Sequence, residues 1–190
     1  AFCKSFNNGF GTETDIRDCG GELVISHDVP TGTVELNLSE FLALANSHSK
    51  ASSLTLALNV KSDGLAALLK QSLSKFNNLD YFVFDMSIPD MRDYFLQDLP
   101  VFTRLSEVEK EPVWLEKSAG VWLDSFELNW FDEKLIKKYL EKQKRVCVVS
   151  SELHGRSADH LWRLLKPLKD EPLLLLCTDT PQLAEEYFYE

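Results

Sequence analysis

The strongest constraint on the fold is an alternation of short apolar runs with segments of helical periodicity. The apolar runs are typical of β-strands, and they lie near residues 13, 56, 82, 102, 122, 148 and 175. Amphipathic helical spacing is clearest in residues 63–76, 132–143 and 157–166. Because parallel strands are joined by crossover helices, this order predicts an α/β fold with a parallel sheet covered by helices.

Two architectures fit seven strands at this spacing: an open doubly wound sheet, and a (β/α)₈ barrel that is one strand short. Neither a G-x-G-x-x-G nor a G-x-x-x-x-G-K-[ST] loop occurs, which disfavours the nucleotide-binding form of the open sheet. A barrel usually needs about 250 residues, whereas this chain has 190. The chain also begins within a helical segment, residues 1–8. We expect one domain over residues 1–190. A (β/α)₈ barrel that lacks its first strand would explain both the short length and the helical start, and the pattern alone leaves both architectures open.

The charge and the cysteines exclude several classes of protein. With 30 acidic and 20 basic residues, the net charge of -10 disfavours nucleic acid and anionic membranes as partners. No run approaches the ~18 apolar residues of a membrane span.

The four cysteines form neither a C-x-x-C pair nor a dense disulfide framework, and we expect Cys147 and Cys177 to be small buried hydrophobic residues. The expected location is cytoplasmic, and the oligomeric state is left open.

Two pairs of polar residues at strand ends are candidates for a metal and phosphate site. Glu13 and Asp15 lie two apart on a strand, so their side chains share one face. Two adjacent carboxylates suit a hard cation, Mg²⁺ or Ca²⁺, although the same pattern occurs on solvated surfaces. Asn59 and Lys61 repeat the spacing at the end of the next strand. An amide oxygen can bind the same cation, and a lysine can stabilise phosphoryl charge.

Further candidates come from a dipeptide and from later strand ends. His27 has the chemistry of a general acid or base, and Asp28 beside it could orient the ring. Trp122 either walls a pocket or packs inside the barrel, and His154 either lines the mouth of the barrel or caps a helix. Other strand ends carry Asp85, Arg104, Asp124, Glu152 and Asp179. We expect four residues to contact the substrate: Asp28, Trp122, Asp124 and His154.

The segment GFGTETDIRDCGGELVISHD resembles the signature of the glycerophosphodiester phosphodiesterase family. In that family, a Gly-rich helix end is followed by E-x-D, a turn, an apolar strand and H-D. LALNVK, YFVFD and LCTDTP fall where the family has its later strand motifs, so the resemblance covers essentially the whole chain.

The resemblance implies a (β/α)₈ barrel that hydrolyses small phosphodiesters with a divalent cation. Glu13 and Asp15 match the metal carboxylates of the family, and the third such carboxylate falls at Asn59. His27 matches the histidine that protonates the departing alcohol, and Lys61 matches the lysine that steadies the phosphate charge. The family's first histidine falls upstream of residue 1, so an upstream segment is expected. The alternatives are a catalytically impaired barrel that acts as a ligand-binding or interaction protein, and an open-sheet binding domain.

Overall fold

The chain forms two β-sheets, one in each half. In this computed structural model, residues 2–32, 36–48 and 54–190 are described. The chain divides into two compact units, Ala1–Val101 and Phe102–Glu190, and each has its own sheet and its own hydrophobic core.

Unit 1 contains a mixed five-stranded sheet. Its strands are β1 (Thr12–Cys19), β2 (Glu22–Ile25), β3 (Leu36–Asn37), β4 (Thr55–Val60) and β5 (Asp80–Phe84). Its helices are α1 (Phe2–Asn7), α2 (Leu38–His48), α3 (Ala66–Leu73) and α4 (Ile88–Leu96). The strand order is β3-β2-β1-β4-β5; β1, β4 and β5 are parallel, and β2 is antiparallel to both β1 and β3.

The core of unit 1 follows from the side-chain pattern of its strands. Ile16, Leu56 and Leu58 are fully buried, and they belong to one cluster with Phe41 of α2 and Leu69 of α3. Burial of these branched and aromatic side chains is the main favourable term for this packing. The parallel strands are thereby fixed, and their carboxyl ends lie at one edge of the sheet.

Unit 2 contains a four-stranded parallel sheet in simple chain order. Its strands are β6 (Phe102–Leu105), β7 (Gly120–Leu123), β8 (Arg145–Val149) and β9 (Leu174–Cys177). Its helices are α5 (Glu133–Leu140), α6 (Asp159–Leu165) and α7 (Pro181–Tyr189). Asp132 begins α5 as an N-cap, because its side chain accepts a 3.0 Å hydrogen bond from the amide of Leu135.

The prediction of a (β/α)₈ barrel is wrong. Closure needs every strand to be paired along both edges, but the described strands form a five-stranded mixed sheet and a separate four-stranded parallel sheet. Residues 16–19 of β1 pair with antiparallel β2. The other edge of β5 has a single isolated bridge, Val83 to Val101, among the described residues. All seven predicted parallel strands are present, so the error concerns how strands pair and not where they lie.

Membrane spans and cysteines complete the description. Within the described ranges, no helix has both the length and the apolar character needed to cross a membrane. Cys147 is buried as predicted, whereas Cys177 is only half-buried. No disulfide bond occurs among the described residues.

Gly120, the first residue of β7, is a position where one added methyl group should destabilise unit 2. An alanine Cβ there would lie 2.6 Å from the Arg145 carbonyl oxygen and 2.5 Å from the Phe102 ring. Because a strand carbonyl cannot move independently, we expect Gly120→Ala to lower the free energy of unfolding by about 3 kcal/mol. Urea denaturation followed by circular dichroism measures this change.

The control for this prediction is Gly20→Ala, in the turn between β1 and β2. Gly20 has a φ of +60°, and no atom lies within 4 Å of the added Cβ, so only backbone strain of about 1 kcal/mol is expected. Equal denaturation midpoints for Gly120→Ala and the wild type would contradict the close approach at β7.

Candidate functional site

Four polar residues lie close to one another on the parallel strands of unit 1, with Asn59 and Asp85 at the carboxyl ends of β4 and β5. Glu13 and Asp15 belong to β1, Asn59 belongs to β4, and Asp85 directly follows β5. Asp15 and Asn59 are paired neighbours in the β1–β4 ladder, and Asn59 is in turn paired with Phe84. The parallel register therefore brings together three of the residues that the sequence singled out as metal ligands. We call Glu13, Asp15, Asn59 and Asp85 the acidic cluster.

Strand alternation explains why β1 presents its polar residues together. Thr14 and Ile16 are buried, whereas Glu13, Asp15 and Arg17 are partly accessible. Successive side chains of a strand point to opposite faces. Glu13, Asp15 and Arg17 therefore share the face opposite Ile16, which belongs to the hydrophobic core.

The pKa of the Glu13 carboxyl group is higher than is usual for glutamate. Its pKa is raised from 4.5 to about 7, first because burial disfavours the charged form and then because Asp15 lies close by. Asp85 acts in the same direction, whereas a hydrogen bond from Asn59 and the charge of Lys61 oppose the shift. Negative charge at Glu13 is therefore only partly compensated by the groups around it.

Asn59 carries a buried oxygen that is not used in the fold. The residue is 8 % exposed, and its side chain is hydrogen-bonded to Glu13. Its other polar atom, Oδ1, has no hydrogen-bond partner among the described residues. Buried acceptors of this kind are rare in proteins and point to a ligand, an ion or an ordered water.

Lys61 supplies a positive charge to the acidic cluster. Its Nζ lies 3.2 Å from Asp15 Oδ1, and both side chains are mostly buried. Its backbone amide donates a 3.0 Å hydrogen bond to the carbonyl of Ile16, which continues the β1–β4 ladder by one residue. Lys61 is thus held at the site by its backbone as well as by its charge.

The donor set fits a hard divalent cation. Glu13 and Asp15 supply carboxylate oxygens, and the unpartnered Asn59 Oδ1 supplies an amide oxygen of the type that Mg²⁺ and Ca²⁺ accept. Over the part of the chain that the structure describes, no three His, Cys, Asp or Glu side chains converge as a metal-binding group. A cation here would therefore depend on the amide as a third ligand, beside two carboxylates.

His27 and Asp28 form an exposed turn after β2. His27 Nδ1 lies 3.0 Å from Asp28 Oδ1, and the two side chains are 78% and 94% exposed. The amide of Ser26 donates a 3.1 Å hydrogen bond to the Asp15 carbonyl, so the turn starts beside the acidic cluster. The imidazole is thus accessible to a substrate, with one ring nitrogen engaged by a carboxylate.

Arg17 connects the two segments that carry His27 and Lys61. Its Nε donates a 3.1 Å hydrogen bond to the backbone carbonyl of His27. Its Nη1 donates a 3.2 Å hydrogen bond to the backbone carbonyl of Lys61. One guanidinium group therefore holds both segments.

The remaining predicted residues belong to unit 2. Asp124 follows β7 and is buried, and its Oδ1 lies 2.7 Å from His154 Nε2 and accepts a 2.7 Å hydrogen bond from the amide of Ser125. His154 is therefore oriented by a carboxylate, and its ring also contacts Phe126. Trp122 is buried within β7. The structure thus divides the predicted site residues between the units: Trp122, Asp124 and His154 lie in unit 2, and the others lie in unit 1.

Two residues of unit 1 were absent from the predicted site. Arg17 has the same strand spacing as Glu13 and Asp15, so the alternation of β1 was a signal that could have found it. Asp85 was noted only as a strand end. Its φ of 67° places it in the left-handed region, which Asp adopts more readily than most residues and which sequence spacing does not show. Such backbone conformations are concentrated at functional sites.

Comparison with protein-family models found no match to this chain, and comparison with curated proteins found none either. The fold and the cluster define a mixed α/β protein with an acidic, lysine-containing site on the parallel strands of unit 1.

Proposed function

We propose that this chain is a phosphoric diester hydrolase that uses a divalent cation, Mg²⁺ or Ca²⁺, at Glu13 and Asp15. The observation that carries the proposal is the partly buried carboxylate pair beside the unpartnered Asn59 oxygen, with the Lys61 ammonium 3.2 Å from Asp15. Carboxylates that hold a cation, next to a lysine, form a site suited to phosphate oxygens. The resemblance of the E-T-D and H-D motifs to glycerophosphodiester phosphodiesterases supports the same class of reaction.

Each residue of the group has a distinct role in this proposal. Glu13 and Asp15 would hold the cation, which would supply positive charge to neutralise a phosphate oxygen. Lys61 stabilises the negative charge that develops on the phosphoryl group. A water molecule from the solvent forms the new bond to phosphorus and releases its proton to the solvent as the bond to the alcohol breaks. His27 donates a proton to the departing alcohol oxygen, while Asp28 holds the Nδ1 side of the ring.

The substrate of this proposal is a small phosphodiester, and the location is cytoplasmic. The exposed turn at His27 and Asp28 leaves the imidazole open to a ligand from solvent.

The second candidate function is ligand binding at the same site without catalysis. Lys61 already neutralises part of the charge of Asp15, and Asn59 is neutral where the resembling family has a carboxylate. Both features lower the attraction for a cation. Hydrolysis of a phosphodiester by the purified chain with added Mg²⁺ or Ca²⁺ separates the two functions.

Cation binding at the acidic cluster is the first test of the proposal. With two carboxylates and an amide, we expect a weak site, with a Kd on the order of 10⁻³ M, at the weak end of the range for calcium sites. Glu13→Gln should abolish this binding because it removes a charged ligand. Isothermal titration calorimetry with Mg²⁺ and with Ca²⁺ measures the affinity.

Two further variants sharpen the calorimetric test. Asp18→Asn removes an exposed acid from the same strand and should leave the affinity unchanged. Asn59→Asp supplies a third carboxylate and should tighten binding. Identical titrations of wild type and Glu13→Gln, or no heat from either, would reject a cation at this position.

A further inference from the structure

Arg17 contacts both segments to which the proposed function assigns a catalytic role, those of His27 and Lys61. It is the third polar residue on the Glu13–Asp15 face of β1, and its side chain is half-buried. Its described hydrogen bonds are made to the backbone carbonyls of His27 and Lys61, at 3.1 Å and 3.2 Å. The guanidinium group therefore forms hydrogen bonds with the backbone of both segments.

The two hydrogen bonds of Arg17 lie next to the last backbone hydrogen bonds that β1 makes to the neighbouring segments on either side. The amide of Ser26 bonds the Asp15 carbonyl, and the amide of Lys61 bonds the Ile16 carbonyl. Beyond these backbone bonds, the carbonyls of His27 and Lys61 accept hydrogen bonds from the Arg17 guanidinium. In a continued strand, a backbone amide would donate these bonds. Through Arg17, β1 is thus hydrogen-bonded to the turn at His27 and Asp28, which we call the H-D turn, and to the segment after β4.

Packing alone is a weak restraint on the H-D turn. The His27 and Asp28 side chains are 78% and 94% exposed, and Val29 is also largely exposed. Hydrogen bonds to the backbone of the turn must therefore fix its position. Arginine suits this task because its planar group holds two donors at a fixed separation, which a lysine ammonium does not.

We propose that Arg17 is a positioning residue that sets the place of the His27 imidazole relative to Lys61. The inference rests on the proposed function, in which His27 donates a proton and Lys61 stabilises the phosphoryl charge. Catalysis by two groups on separate segments requires that their spacing be held, and a misplacement of about 1 Å can cost on the order of 10²-fold in rate.

The first test is independent of catalysis. Hydrogen–deuterium exchange of residues 26–32 should become roughly tenfold faster in Arg17→Gln, as expected from loss of a charge-assisted hydrogen bond. Arg92→Gln removes an exposed arginine of α4 and should leave this exchange unchanged. Unchanged exchange in Arg17→Gln, in a protein with wild-type circular dichroism, would overturn the positioning role.

The second test is kinetic. Arg17→Gln should lower kcat by roughly 10- to 100-fold on an alkyl phosphodiester, and much less on a nitrophenyl diester, whose leaving group departs without a proton. Adding Arg17→Gln to His27→Ala should cause little further loss. Arg17→Lys keeps the positive charge but loses the planar group with its two donors. We therefore expect its kcat to be lowered as in Arg17→Gln. Equal losses on both substrates would overturn the inference.

The two sets of results separate this inference from the proposed function. A wild-type chain that hydrolyses neither substrate with either cation refutes the proposed function and, with it, the kinetic role of Arg17. The exchange measurement still decides whether Arg17 holds the turn.

Discussion

Replacing His27 with alanine should lower turnover of an alkyl phosphodiester by roughly 10²–10⁴-fold, the usual contribution of a general acid. An alkoxide is a poor leaving group and needs a proton as the phosphorus–oxygen bond breaks. A nitrophenolate is stable without one, so the same variant should retain most activity on a nitrophenyl diester. Steady-state kinetics on the two substrates, with saturating Mg²⁺ or Ca²⁺, gives both values.

The control for His27 is His160→Ala, which removes an exposed histidine of unit 2. Its turnover should match that of the wild type on both substrates. An equal loss for His27→Ala on the two substrates would assign His27 to binding or to structure and would remove it from proton transfer.

Glu13 should make the cation-free protein less stable as the pH rises. Its pKa is about 7 in the fold because of burial and Asp15, against 4.5 ordinarily. Between those values the folded chain binds more protons than the unfolded chain, so the free energy of unfolding falls with increasing pH. At about 1.4 kcal/mol per pKa unit, the total loss is about 3 kcal/mol, complete above pH 7.

Glu13→Gln should remove this pH dependence, because glutamine does not titrate. Urea denaturation in a chelating buffer between pH 4.5 and 8.5 should show wild type and variant diverging across that window, with the variant gaining relative stability at high pH. Asp18→Asn, on the same strand, should follow the wild type. Parallel curves for wild type and Glu13→Gln would show that Glu13 ionises without cost in the fold.

The strands and the neighbours at the site could be predicted from local pattern alone. Neighbouring parallel strands place residues of matching register side by side, so the polar residues of β1 and β4 could be expected to lie close once the strands were recognised. The pairing of Asp15 with Asn59 confirms that reasoning. Period-two alternation likewise put Glu13 and Asp15 on one face of β1.

Barrel closure could not be predicted in the same way. The number of strands shows which segments can form a strand. Closure of a barrel depends on which strand edges pair with each other, and that pairing involves segments distant in sequence. Here the second half of β1 is paired with β2, a short strand that is not among the seven apolar runs of the sequence. The sequence contains no local signal that measures this competition between partners.

The contacts of Arg17 were hidden for a related reason. Its hydrogen bonds are made to backbone carbonyls, which every residue carries, so nothing at positions 27 and 61 marks them as acceptors. Side-chain chemistry can be read from a sequence, whereas the place of a carbonyl oxygen is known only after folding. Positioning residues of this kind are therefore harder to predict than ligands.

The left-handed backbone of Asp85 affects how mutational scans of this site should be interpreted. Aspartate tolerates that conformation, and most other side chains meet a steric penalty there. Alanine at this position would change the local backbone energy and the charge near Glu13 at once, and the two contributions would be reported as one. Asparagine changes the charge with little backbone penalty, and glycine relieves the backbone while deleting the side chain. A pair of substitutions at position 85 thus separates conformation from electrostatics where a single alanine cannot.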